Sequence, residues 1–426
     1  MKASILIREM ITKSASPALT NRARGKLLTY FENVRAMPFG DQWVLDSAFP
    51  PLPGKAFSML LEGLGNAEQG RQRPSMVTVA VTNRCMLDCR HCYNAGRDQT
   101  DLPLDAFRRV AGELLDLGAA RVTLTGGEPL LRDDIEEICR CFDDRCTLAL
   151  STTGLGLTPS KARDLKRAGL FALGVSMDSD RRAEHDRLRG REGMFDVALR
   201  ALATARDAGL FPYVLAMARP ELIPRERFMR LLEVAGIAGA LEVVILEPVP
   251  VGNMAGRCDV GLTQSQRGRL LLYQREVSCR EELPLLSTST YLGSSAGFGC
   301  SAGLGHIYID GSGEICPCNM VPLSFGNVMK VSVGTAIERM HRHFQRPWTV
   351  CVGRVLGPHV PEGALPTPPK VSAMLCRKHL SGSHDMPGLY ESVQADRNQK
   401  EAAISGPIQS SEIASCIVET KTLVTA

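Results

Sequence analysis

Short apolar runs rich in β-branched residues alternate with longer stretches of helical period between residues 76 and 250. Runs at Val77–Val81, Arg121–Thr125, Thr147–Ser151, Ala172–Ser176, Tyr213–Ala216 and Leu241–Leu246 read as strands. Apolar positions three and four apart predict helices at Leu104–Leu117, Asp133–Asp143, Ser160–Ala168, Met194–Ala208 and Arg225–Ala235, with Asp133 and Ser160 as N-caps. Strand–helix units repeated in this way imply a parallel sheet with right-handed crossovers. Six such units fall short of a closed eight-stranded barrel and suit an α/β fold of the partial (β/α)6 TIM-like kind.

The flanks read differently. Residues 1–75 form an N-terminal helical and Pro-rich extension, with helices expected around Ala18–Val34 and near Lys55–Leu64. Residues 76–250 are the barrel core, and the Gly-, Ser- and Leu-rich stretch 251–299 reads as a linking segment. Residues 300–380 read as a small cysteine-rich α+β domain, built around a hairpin of His306–Ile309 and Glu314–Ile315. Residues 381–426, poor in aromatics, read as a disordered tail.

Charge excludes some functions. The 426 residues carry a net charge of +4, which gives no basic stripe for nucleic acid. Every apolar run is shorter than the roughly 20 residues that span a bilayer, and the N-terminus lacks a secretory pattern. The fourteen cysteines cluster in a long chain without such a signal. That usage points to metal-bound thiolates in a reducing compartment, the cytoplasm.

The densest chemistry follows the first strand, in Asn83-Arg84-Cys85-Met86-Leu87-Asp88-Cys89-Arg90-His91-Cys92-Tyr93. Three thiolates on one tight loop suit three corners of a four-iron cluster, a group usually held by four cysteines. The fourth iron would then stay open to substrate or cofactor. A zinc site completed by His91, or simple structural thiols, are the alternatives for the same residues.

This loop resembles the radical S-adenosylmethionine (SAM) superfamily, whose hallmark is C-x3-C-x2-C after the first barrel strand. Further motifs fall in order at successive strand ends: Thr125-Gly126-Gly127-Glu128-Pro129, Ser151-Thr152-Thr153-Gly154, Ser176-Met177-Asp178 and His185-Asp186-Arg187-Leu188-Arg189-Gly190. The resemblance implies that Cys85, Cys89 and Cys92 hold a [4Fe-4S] cluster with one open iron site. It further implies that Gly126, Gly127, Glu128, Ser151, Thr152, Ser176, Asp178 and Arg189 contact SAM, with Glu128 and nearby carbonyls accepting from its ammonium. Reductive cleavage of SAM would then give methionine and a 5′-deoxyadenosyl radical that takes a hydrogen atom from the substrate.

A second cysteine group, Cys300, Cys316, Cys318 and Cys351, surrounds the expected hairpin. With Gly313 five positions before Cys318, it resembles the SPASM or twitch extension that carries an auxiliary cluster. The denser cysteine run of a full SPASM domain is missing, so the resemblance implies one auxiliary [4Fe-4S] cluster, with Cys376 a further candidate ligand. A structural zinc on Cys300, Cys316, Cys318 and Cys351 is the alternative. Cys139, Cys141, Cys146, Cys258, Cys279 and Cys416 read as core or surface thiols.

The implied activity is oxidoreductase- or transferase-type chemistry on a peptide or a small molecule such as a sugar, tetrapyrrole or lipid-like compound. A flavodoxin or ferredoxin would serve as reductant. A non-catalytic iron–sulfur relay or scaffold is the competing class, against which the Gly-Gly-Glu motif argues.

Overall fold

The computed structural model describes residues 5–7, 9, 21–32, 34–68, 71, 73–257, 259–292, 297–361, 363 and 365–380. The expected tail, Cys258 and Cys416 lie outside these residues.

The predicted alternation is present. In chain order the strands are β1 (Met37–Phe39), β2 (Gln42–Val44), β3 (Met76–Thr82), β4 (Arg121–Gly126), β5 (Thr147–Thr152), β6 (Ala172–Ser176), β7 (Phe211–Met217), β8 (Glu242–Leu246), β9 (Leu285–Thr288), β10 (His306–Ile309) and β11 (Ile315–Cys316). The main sheet runs β11-β10-β3-β4-β5-β6-β7-β8-β9. Every neighbouring pair in it is parallel except β10 with β11. The α/β partial barrel thus extends at both edges, by β9 beyond β8 and by β10 beyond β3.

Alternation along each strand separates two environments. Val77, Val79 and Val81 of β3 join Ile307 and Ile309 of β10 in the outer core beneath the helices. Residues of opposite parity face the barrel interior, where Tyr213 packs so closely that a Cβ on Gly174 would lie 2.4 Å from its ring. The helix Leu104–Asp116 shows why the outer layer forms: Ala106, Phe107, Val110, Ala111, Leu114 and Leu115 make one buried stripe. Residues from Ala302 to Leu380 share this same core, so the C-terminal region packs as a continuation of the barrel's outer layer.

Helix starts shift from expectation for local reasons. Pro159 occupies the first helical position, which suits its fixed φ and missing N–H, so Thr158 rather than Ser160 caps Pro159–Arg167. Asp134 rather than Asp133 precedes Ile135–Cys139, and its carboxylate pairs with Arg132 at 2.6 Å instead of capping. The stretch read as linker contains the helix Gln264–Val277, opened by a capping box between Thr263 and Gln266, and then β9.

The N-terminal region closes the bottom of the barrel. Asp46, just beyond β2, lies buried beside Glu242, the first residue of β8. Glu242 Oε2 accepts from the Ser47 amide at 2.7 Å, while Oε1 has no hydrogen-bond partner. Burial, then the neighbouring Asp46 charge, push the Glu242 carboxyl up to about 8, and burial lifts Asp46 to about 6. An acid held protonated in the folded chain contributes stability at low pH that is lost as pH climbs through the raised value. Glu242→Gln keeps an acceptor for Ser47 and cannot ionise. Its melting temperature should exceed wild type by several degrees at pH 8, with the gap closing toward pH 5, in thermal melts. An equal offset at both pH values would show that ionisation of Glu242 is not the cause.

Candidate active site

The cysteine loop leaves the end of β3 and is held from three sides. From β4, the amides of Gly127 and Glu128 donate to the carbonyls of Thr82 and Arg84, each at 2.9 Å. From the helix Arg182–Arg189, the Leu188 carbonyl accepts from the Arg90 amide at 3.1 Å. From the chain beyond β8, the Asn253 amide donates to the Cys92 carbonyl at 2.9 Å and its Nδ2 to the Cys89 carbonyl at 2.8 Å. Two of these contacts require glycine. A Cβ on Gly127 would sit 2.1 Å from the Arg84 carbonyl oxygen, and one on Gly252 would sit 2.1 Å from that of Cys92. The three thiols are therefore displayed on one clamped turn at the carboxyl ends of the strands, where α/β sheets carry their chemistry.

Cys89 is buried and Cys85 exposed. Burial raises the Cys89 and Cys92 thiols. Arg189 opposes this at Cys89, with Nη1 at 3.8 Å from Sγ. Arg189 is in turn fixed by Asp178, Nη2 to Oδ2 at 2.6 Å. Asp178 also faces His91 Nε2 at 3.3 Å and accepts from the Met217 amide at 2.9 Å, while its own amide donates to His185 Nδ1 at 3.1 Å. The Arg189 guanidinium beside it holds its carboxyl well below the usual range despite full burial.

Two of the expected contact residues have partners within the chain. Asp178 is only 1% exposed and its carboxylate pairs with Arg189. The Glu128 carboxylate, expected to accept from an ammonium, is fully buried and already occupied. It accepts from Thr152 Oγ1, from the Thr153 amide and Oγ1, and from the Leu130 amide, at 2.6–3.1 Å. Glu128 caps the turn Pro129–Leu131 and ties β4 to the end of β5. Thr152 is likewise spent on that tie. Gly126 and Gly127 remain against the cysteine loop, and Ser151 and Ser176 are half-buried near the ends of β5 and β6. The residues present fit a thiolate-bound group: three thiols share one loop, and the buried Arg189 Nε and His91 Nδ1 have no hydrogen-bond partner beside them.

The second cysteine group divides. Cys300 and Cys351 share a hydrogen bond that draws Cys300 down to about 7 and raises Cys351. The Cys300 charge also acts on Cys318, which burial pushes up to about 12. Paired backbone hydrogen bonds between Cys300 and Trp348, at 2.7 and 3.0 Å, bring the two segments together. Cys316 is not brought to this trio. It ends β11 opposite Tyr308, among Tyr93, Ala80, Arg97 and Asp310, because Pro317 closes the strand and the chain turns at Cys318. Cys376 is buried in the helix Pro369–His379 with Arg377 as its charged neighbour, also apart from the trio. Among the described residues no three His, Cys, Asp or Glu side chains gather tightly enough for a single metal ion.

The two regions are joined by polar contacts. The Gly311 amide donates to Asn83 Oδ1 at 3.1 Å, two residues before Cys85, and Arg97 pairs with Asp310 at 3.0 Å with both side chains fully buried. Sequence reasoning passed over Asn253, which lies in the stretch taken as linker, and Asn83 and His91 as partners of the loop. Their roles depend on contacts from remote segments. Among the described residues, no helix is long and apolar enough to cross a membrane.

Residues 79–231 match the family model described as the Radical SAM superfamily. The chain is 25% identical over 308 residues to the AdoMet-dependent heme synthase of Nitratidesulfovibrio vulgaris, covering 66% of this chain and 82% of that protein. It is 38% identical over 158 residues to a probable GTP 3′,8-cyclase of Halobacterium salinarum, covering 34% of this chain and 42% of that one. Among solved structures, Streptococcus suis SuiB bound to precursor peptide SuiA superposes with a TM-score of 0.54 at 15% identity, over 65% of this chain and 68% of that one. Native anSMEcpe with bound AdoMet gives 0.50 at 14% identity, over 76% and 100%. Fold, the match over residues 79–231 and the clamped thiol loop agree: this part of the chain is a radical SAM domain.

Proposed function

We propose that this enzyme oxidises a carboxylate-bearing tetrapyrrole by SAM-dependent hydrogen-atom abstraction. In this reading Cys85, Cys89 and Cys92 hold the catalytic [4Fe-4S] cluster, and Cys300, Cys318 and Cys351 hold an auxiliary one of SPASM or twitch type. The observation that carries it is the convergence of those last three thiols, together with a similarity to the AdoMet-dependent heme synthase that spans 82% of that protein. The similarity to GTP cyclases covers much less of the chain, and the peptide-binding neighbour shares the fold alone. The similarity to enzymes speaks against a relay without catalysis.

The protein's own part is placement and exclusion. Gly126 and Gly127 keep the backbone low beside the thiol loop, Ser151 and Ser176 offer polar contacts to a bound nucleoside, and Arg189 steadies Cys89 from beneath. With cluster and SAM bound, the pair supplies one-electron cleavage of a sulfonium bond and the radical that results. Free thiols throughout the described residues fit a reducing cytoplasm with a flavodoxin or ferredoxin donor.

Anaerobic, iron- and sulfide-reconstituted protein given reductant, SAM and Fe-coproporphyrin III should form 5′-deoxyadenosine in step with loss of carbon dioxide from the porphyrin. Porphyrin left intact, while a precursor peptide encoded beside the gene stimulates SAM cleavage, would replace this reading with peptide modification.

A further inference from the structure

The rim beyond β8 holds a charge cluster that the thiol chemistry does not use. Glu247 directly follows β8, and its carboxylate is shared by two arginines. Arg267 Nε, from the helix Gln264–Val277, lies 2.8 Å from Oε2, and Arg354 Nη1 lies 3.3 Å from the same oxygen. Thr290 Oγ1 donates to Oε1 at 2.7 Å, and the Glu247 amide donates to Ser289 Oγ at 2.8 Å. Two cations therefore share one carboxylate. Arg267 Nη2 is buried without a hydrogen-bond partner, and both arginine side chains keep about a third of their surface open, 31% and 33%.

The position of the cluster matters as much as its charge. Five residues after Glu247 the chain reaches Gly252, which packs on the Cys92 carbonyl. Arg354 lies on the helix Val352–Leu356, whose N-cap is Cys351 of the second thiol group. The two guanidiniums thus stand at the barrel mouth on segments that lead to both thiol groups. A guanidinium is the side chain best matched to a carboxylate, through paired N–H donors and a charge that does not titrate.

We infer that Arg267 and Arg354 form the carboxylate subsite of the substrate pocket, with Glu247 holding them in place until the substrate's own carboxylate engages them. This rests on the tetrapyrrole reading and deepens it: the ligand group is a propionate.

The test is equilibrium binding of Fe-coproporphyrin III, followed by its absorption, to the full chain and to Arg267→Gln, Arg354→Gln and Glu247→Gln. Losing one charge-assisted contact should raise Kd on the order of 10-fold or more in each arginine variant. Glu247→Gln should bind several-fold more tightly, since it frees both cations. Added salt should weaken wild-type binding more than binding by the double arginine variant. Arg354→Lys, which keeps the charge but not the paired donors, should recover part of the affinity lost in Arg354→Gln and guards against misreading a folding defect.

Two failures are distinguishable. Wild-type protein that does not bind the porphyrin overturns the tetrapyrrole reading, and this ligand assignment with it. Wild-type binding that both arginine substitutions leave unchanged overturns the subsite alone. So does Glu247→Gln weakening binding as much as the arginine variants do, because the cluster would then be a structural strap.

Discussion

Cys85→Ala should leave the protein unable to form 5′-deoxyadenosine and short of about four irons per chain after reconstitution. Cys85, Cys89 and Cys92 lie on one turn clamped by three separate segments, and no other thiol in the described residues stands ready to replace the lost one. Cys318→Ala should lose a similar amount of iron while keeping SAM cleavage that is uncoupled from product. Cys316→Ala should keep its full iron content, because that side chain packs by Tyr308 and Arg97 rather than with Cys300 and Cys351. Iron analysis and 5′-deoxyadenosine assays on the three variants read all of this together. Cleavage retained by Cys85→Ala would refute the assignment of the loop, and iron lost from Cys316→Ala would return that residue to the ligand set.

A second large effect is expected at a residue with no chemistry of its own. Gly252 and Gly256 both have positive φ, +58° and +73°, so alanine at either incurs a backbone strain of roughly 1–2 kcal/mol. Only at Gly252 does the new Cβ also meet backbone, 2.1 Å from the Cys92 oxygen and 2.8 Å from the Tyr93 Cα, whereas the space around Gly256 is open. Gly256→Ala should therefore melt slightly lower and stay active. Gly252→Ala should push the thiol loop off its seat and lower SAM cleavage on the order of 10²-fold, as misplacement by about an ångström does. Equal behaviour of the two variants would mean that Gly252 is needed for its conformation and not for clamping the loop.

The thiol loop, the Gly-Gly-Glu turn and the core strands could be read from the chain because each is a local pattern: a spacing, a strand-end motif, a β-branched run. What escaped is non-local. The pairing of β10 with β3 joins residues far apart in sequence, and no short-range signal records it. The four-residue strand β9 is too short for its period to show. Its helix, by contrast, left a legible sign in the Thr263–Gln266 capping box, lost among Gly- and Ser-rich neighbours. Glu128 and Asp178 were recognised as belonging to the site, but their partners within the chain were not. Their burial, and the partners that consume them, are tertiary facts. Cys316 was grouped with Cys318 through the resemblance to an auxiliary-cluster extension, and the proline between them sends the two thiols to different places.

The strand that launches the catalytic loop waits for a late neighbour during synthesis. β3 begins at Met76 and pairs with His306–Ile309, about 230 residues downstream, so at ribosomal speed its outer edge stays bare for about 10–50 s. A bare β edge invites wrong partners. The Asn83 side chain that receives the Gly311 amide also waits for that segment. Thiols on a loop not yet fully anchored are open to oxidation or stray metals, so the order of events in the cell should be chain completion first and iron–sulfur insertion afterwards.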